Sequence, residues 1–251
     1  MFFKVFIGAV IPFIGTSLGA FASFFSPKKN SDKAGAMISG FASGVMVAAS
    51  VWSLLIPSVE YSENYGKFSF VPAVVGLFVG TLFMLLSDRF IEGKEKNSPY
   101  KKRNLMYFAV TLHNIPEGMA IGAAYSAYLF GKTDALLLSA FVLSLGIAIQ
   151  NVPEGAIVAL PYTGEKNRLK GFVYGVLSGV VEPFAVFLTV LLSSVLVPFL
   201  PFMLSFAAGA MLYVVMIELS GDFIKDNTRE KGITAFILGF SVMMSLDVAL
   251  G

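Results

Sequence analysis

Eight long apolar runs dictate what this 251-residue chain can fold into, falling roughly at 5–25, 35–57, 69–87, 105–128, 135–161, 171–192, 201–219 and 232–250. Each is near the roughly 20 residues that cross a hydrocarbon core about 30 Å thick. In lipid every backbone N–H and C=O must be paired within the protein, so segments of this length and polarity are helices. The sequence predicts an all-α, polytopic membrane protein of eight transmembrane helices, forming one transmembrane domain over 1–251. Composition agrees, with 56% hydrophobic and 14% charged residues and a mean hydropathy of +0.78, outside the range of soluble domains. Only Lys4 precedes the first run, which is longer than a signal-peptide core and contains Pro12, Gly15 and Gly19. It reads as a retained helix, with the mature chain starting near Met1.

The placement of basic residues sets the orientation. Lys28, Lys29 and Lys33; Arg89, Lys94, Lys96, Lys101, Lys102 and Arg103; Lys166, Arg168 and Lys170; and Lys225, Arg229 and Lys231 fill four alternate connections, 15 of the 18 Lys and Arg. The other side holds Lys4, Lys67 and Lys132. This bias places the four rich loops in the cytoplasm and both termini outside, in a multi-pass protein of the cytoplasmic membrane. The loop from Glu92 to Arg103 reads as a solvated topology signal touching anionic lipid, and no nucleic-acid partner is expected. Glycines at four-residue spacing (Gly15 and Gly19, Gly40 and Gly44, Gly76 and Gly80, then Gly171, Gly175 and Gly179) read as helix-packing positions. With no cysteine, thiolate metal sites and Cys nucleophiles are excluded.

Two near copies of one motif interrupt the apolar runs: HNIPEG, His113 to Gly118, and QNVPEG, Gln150 to Gly155. On a helix, His113 and Glu117 share a face, as do Gln150 and Glu154, with Asn114 and Asn151 on an adjoining stripe. Pro116 and Pro153 remove amides that would bond the carbonyls of Leu112 and Ile149, so each helix should bend where its polar residues cluster. Counting about 1.5 Å per residue from the cytoplasmic charges puts Glu117, Glu154 and Glu182 roughly 18 to 21 Å deep, at one level just past mid-membrane. Each costs on the order of 3 kcal/mol to insert, so something must compensate them. One imidazole, three carboxylates and three amide side chains form a borderline-to-hard donor set suited to a divalent cation such as Zn2+, Fe2+, Mn2+ or Cd2+. The competing reading is plain hydrogen bonding between helices. A second competitor is an integral membrane di-metal carboxylate enzyme, although such sites use Glu-x-x-His pairs and this chain has a single His four residues from its Glu.

At HNIPEG, QNVPEG and the VVEPFA segment around Glu182, the sequence resembles the ZIP (Zrt-, Irt-like protein) family of divalent-metal transporters, in its bacterial branch. GVMVAAS on the second run and the closing MMSLDVALG extend the likeness. The resemblance implies a non-enzymatic transporter that carries divalent metal, zinc first with cadmium, iron and manganese as alternatives, into the cytoplasm. It implies two adjacent metal seats. The first would match His113, Glu117, Gln150 and Glu154 with Met46 as a weak ligand; the second would match Asn114, Asn151, Glu182 and the two shared glutamates. It also implies inverted three-helix repeats flanking the central pair, movement of a mobile bundle, and a homodimer. The chain departs from the pattern at Asn151, where similar proteins often carry Asp, and at Gln150, where many carry His. Glu218 and Asp222 are candidate exit ligands in a stretch that lacks the family's histidine. Asp247, near the outer end of the eighth run, either gathers incoming cations or is an ordinary interfacial carboxylate.

Overall fold

The structure is a computed structural model that describes residues 2–25, 32–94, 101–131, 133–165, 167–224 and 227–250. The described residues form eight principal helices. They are α1 (Phe2–Ala20), α2 (Asp32–Ala49), α3 (Phe70–Lys94), α4 (Lys101–Gly131), α5 (Asp134–Ala159), α6 (Arg168–Gly179 and Val181–Leu191), α7 (Leu200–Val214) and α8 (Arg229–Leu250). α2 runs on through a π turn at Ser50–Leu55 into Ile56–Glu60, and α7 through a π turn at Val215–Leu219. Pro57, just past the first π turn, cannot donate to a carbonyl of the preceding turn.

Seven of the eight, all except α4, are long and apolar enough to cross a membrane. α4 coincides with the run expected at 105–128 and is 31 residues long. His113, Asn114, Pro116 and Glu117 dilute its apolar character. Among basic residues of the expected inner loops, Lys28, Lys29, Lys96, Lys166 and Lys225 lie outside the described residues.

Capping fixes where helices start. Thr133 accepts the Leu136 amide at 3.3 Å ahead of α5, and Asn167 accepts the Lys170 amide at 3.0 Å ahead of α6, each satisfying a donor with no intrahelical partner. α4 and α5 run through Pro116 and Pro153 as unbroken helices. α6 does break, at Val180. Pro183 provides no amide for the Gly179 carbonyl, and Glu182 falls in the first turn of the second half, where the helix dipole favours a carboxylate.

The helices pack chiefly in four pairs: α1 with α5, α4 with α6, α2 with α8, and α3 with α7. Exchanging α1 with α6, α2 with α7, α3 with α8 and α4 with α5 maps this set of pairs onto itself, as an internal three-helix repeat about a central pair would. The two π turns, on α2 and α7, obey the same exchange. Each pair is closed by glycine. A Cβ on Gly15 or Gly19 would strike the α5 backbone at Ala148 or Val152; on Gly44, Phe236 of α8; on Gly80, Phe206 of α7; and on Gly118, Glu182 of α6. With no hydrophobic drive between helices in lipid, such backbone approach is what holds them together.

Candidate metal centre

The final glycine of each motif presses its helix onto a neighbour and so aims the polar residues before it. Gly118 seats α4 against the Glu182 backbone, and Gly155 seats α5 against the Thr16 backbone. His113, Asn114, Glu117, Gln150, Asn151, Glu154 and Glu182 are all buried, none more than 2% exposed.

His113, Glu117 and Glu154 each offer one donor atom, and these atoms lie within 4.8 Å of one another. His113 Nε2 is 3.0 Å from Glu117 Oε1 and 3.3 Å from Glu154 Oε1. Ligands about 2.1 Å from a tetrahedral zinc stand about 3.4 Å apart, so these spacings are close to those of an occupied seat. Glu117 Oε2, Glu154 Oε2 and His113 Nδ1 are buried with no hydrogen-bond partner, as are Asn114 Oδ1 and Asn151 Oδ1. Unmet buried polar atoms cost about 1–3 kcal/mol each. Four of these five are oxygens with lone pairs directed into the protein, the demand a cation fills.

The other expected residues are arranged differently. The Gln150 amide nitrogen donates to Glu117 Oε1 in a short bond and lies 3.4 Å from Glu154 Oε1, while its carbonyl oxygen accepts from Ser53 Oγ at 2.9 Å. To ligate a cation at this seat, the amide must turn over. Asn114 Nδ2 donates to the Ser178 carbonyl at 2.9 Å. Glu182 is not in the three-residue cluster. Its two oxygens accept from Thr16 Oγ1 at 2.8 Å and Asn151 Nδ2 at 2.9 Å. Met46 is fully buried in an apolar cluster that also holds Met84, Met119 and Met211. The side chains of Glu218 and Asp222 lie outside the described residues. Asp247 lines a cavity of about 500 Å³ together with Trp52, Ser53, Glu60, Glu117 and Gln150, and its Oδ1 is 2.6 Å from Ser53 Oγ. It faces a passage to Glu117 and Gln150.

Sequence reasoning passed over Thr16 and Ser53. The signal for Thr16 is a hydroxyl flanked by Gly15 and Gly19 in an apolar run. Ser53 carries no such mark, because it reaches Gln150 only through the π turn of α2.

The family described as ZIP Zinc transporter matches residues 93–247. "Zinc transporter ZIP11" of Xenopus tropicalis is 34% identical, covering 84% of this chain and 87% of its own length. This chain belongs to the ZIP family. "Zinc transporter ZIPB" of Bordetella bronchiseptica is 30% identical over 98% of this chain and 81% of its own length, and "Zinc transporter GufA" of Myxococcus xanthus is 29% identical over 80% of this chain and 81% of its own. The matched ZIP stretch holds both motifs and Glu182. Thr16, Met46 and Ser53 precede it. These relatives are named as transporters, so the di-metal enzyme reading has no support.

Proposed function

We propose that this ZIP protein carries divalent metal cations, zinc first, across a membrane into the cytoplasm. The observation that carries the reading is the seat of His113, Glu117 and Glu154, with two of its carboxylate oxygens unpaired and a cavity reaching Glu117 from one end of the helices. The donor set, without sulfur except for Met46, also suits Cd2+, Fe2+ and Mn2+. In the same reading α4 is the eighth span, both termini lie outside the cytoplasmic membrane, residues 1–251 work as one transporter domain, and chains pair as homodimers. The cavity end, formed by Glu60, Trp52 and Asp247, then faces outward.

The chain's own residues supply each step. Asp247 and Glu60 attract the cation at the mouth, and Gln150 turns its carbonyl inward as Ser53 exchanges acceptor for donor. Glu117, Glu154 and His113 replace the water shell. Asn114, Asn151 and Glu182 form the neighbouring position through which the ion leaves. The deciding experiment is zinc uptake into proteoliposomes holding the purified protein. Wild type should accumulate zinc and Glu117→Ala should not. No uptake by wild type, or equal uptake by both, refutes the reading.

A further inference from the structure

The exchange of helices that relates the two halves makes a residue outside both motifs conspicuous. Gly118 of α4 packs on Glu182 of α6, and Gly155 of α5 packs on Thr16 of α1. Swapping α4 with α5 and α6 with α1 therefore puts Thr16 at the position equivalent to Glu182. The two residues meet. Thr16 Oγ1 is 2.8 Å from Glu182 Oε1, and Asn151 Nδ2 is 2.9 Å from Glu182 Oε2. Thr16 is fully buried, and its Cβ, Cγ2 and Oγ1 pack where a side chain on Gly179 would stand, so its rotamer is fixed by the α6 backbone.

Both donors have the same second acceptor. Thr16 Oγ1 lies 3.3 Å from the Pro12 carbonyl, and Asn151 Nδ2 lies 3.5 Å from it. A hydroxyl has one proton, so Thr16 serves either Glu182 or Pro12 at any moment. The Pro12 carbonyl already accepts the Thr16 amide within α1, so its second lone pair can receive one further donor.

We propose that Thr16 is a positioning residue for Glu182, forming with Asn151 a two-donor latch that holds the carboxylate until a cation reaches it, whereupon the Thr16 hydroxyl turns to the Pro12 carbonyl. Glu182 turns to the ion without leaving the Thr16 hydroxyl unpaired, and gives the ion up again when the latch re-forms. The latch keeps the second position weak and the release fast. Asn at 151 is integral to it, because an Asp there would have no N–H to offer Glu182.

The proposal rests on the transport reading, and wild type beside Glu117→Ala tests that reading separately. The test is the steady-state kinetics of zinc uptake by Thr16→Val and Thr16→Ser in proteoliposomes, with zinc stoichiometry of the purified proteins. Val keeps the volume and loses the donor; Ser keeps the donor and loses the methyl group that packs on Gly179. Thr16→Val should lower KM and maximal rate together by about tenfold or more, the worth of one hydrogen bond to a charged group. It should also retain more zinc per chain. Thr16→Ser should stay within about twofold of wild type. Kinetics of Thr16→Val equal to wild type overturn the latch, and so does a larger defect in Thr16→Ser, the signature of packing alone. If Thr16→Val does not insert, Asn151→Leu decides. Loss of a latch donor lowers KM, whereas loss of a simple ligand raises it, and a raised or unchanged KM overturns the proposal.

Discussion

Replacing Glu154 by Gln tests the metal centre with the least change of shape. Glu154 Oε1 is 3.3 Å from His113 Nε2, and its Oε2 is buried and unpaired. A divalent ion bound about 2.1 Å from that carboxylate gains about 4 kcal/mol from its charge even at the screening of bulk water, a floor for a buried site. That energy is nearly three decades in affinity. The amide oxygen of Gln keeps a partial negative charge and recovers part of it, so zinc should bind Glu154→Gln at least about a hundredfold more weakly. Insertion should not suffer, because the substitution removes a charge that costs on the order of 3 kcal/mol at mid-membrane. The assay is equilibrium zinc binding to purified protein, with yield and elution profile as controls for folding. A loss of less than about tenfold in correctly folded protein would refute the placement of Glu154 at the seat.

Three further outcomes follow from the same packing and topology. Because the chain has no cysteine, a single one is a clean reporter: Asn64→Cys, in the exposed turn Glu63–Phe68, should react with impermeant reagent added outside cells, whereas Asn227→Cys, between α7 and α8, should react only after permeabilisation. Reversal would invert the topology, and equal labelling would break the eight-span count. Gly155→Ala drives a methyl group into the Thr16 carbonyl, while a Cβ at Gly35 meets nothing within 4 Å. Overpacking of this kind costs about 1–3 kcal/mol, so Gly155→Ala should lower the thermal midpoint by several degrees while Gly35→Ala leaves or raises it; equal midpoints would refute the close packing of α1 on α5. Zinc at about a hundred times its Kd adds about 2.7 kcal/mol to stability. It should therefore raise the wild-type midpoint reversibly by several degrees, and a rise of the same size in Glu154→Gln would count against the seat.

The sequence showed the helices plainly because lipid leaves an apolar chain of this length no other structure, and drew attention to the residues of the His113–Glu117–Glu154 cluster because carboxylates at mid-membrane depth require a reason. Glycine spacing likewise announced close packing at Gly15, Gly44 and Gly80, though not which helix each would meet. What stayed hidden depends on partners distant in sequence. Thr16 and Glu182 are 166 positions apart, and nothing along α1 says that its hydroxyl faces a carboxylate on α6. That the Gln150 carbonyl meets Ser53, on another helix, while its nitrogen meets Glu117 is likewise visible only in the fold. Asp247 shows the same limit. From the chain alone an interfacial carboxylate is as easily solvated as functional, and the cavity it shares with Glu117 and Gln150 is visible only in the fold.

The helix exchange yields one more expectation. It carries the α2–α8 pair onto the α7–α3 pair, and with it the hydroxyl of Ser53, in the π turn of α2, tied to Asp247 near the end of α8. Its counterpart is present: Tyr213, just before the π turn of α7, donates to Asp88 Oδ2 of α3 at 2.9 Å. One contact sits at the cavity mouth, the other at the end of the bundle that bears the basic loops. Should the two ends open in turn as one half rocks against the other, as in repeat-built transporters, the Tyr213–Asp88 bond would belong to the form open at Asp247 and would yield for release on the opposite side. Tyr213→Phe removes that bond and keeps the ring. A hydrogen bond to a charged group is worth about 1.5–3 kcal/mol, so the balance should move roughly tenfold or more toward the form open to the basic loops. Ala120 lines the cavity that Asp247 shares, which the proposed orientation turns outward. Impermeant reagent should therefore label Ala120→Cys more slowly in the Tyr213→Phe background, and the rate of zinc uptake should change with it. Unchanged labelling together with an unchanged uptake rate would show that Tyr213 and Asp88 only brace α3 against α7.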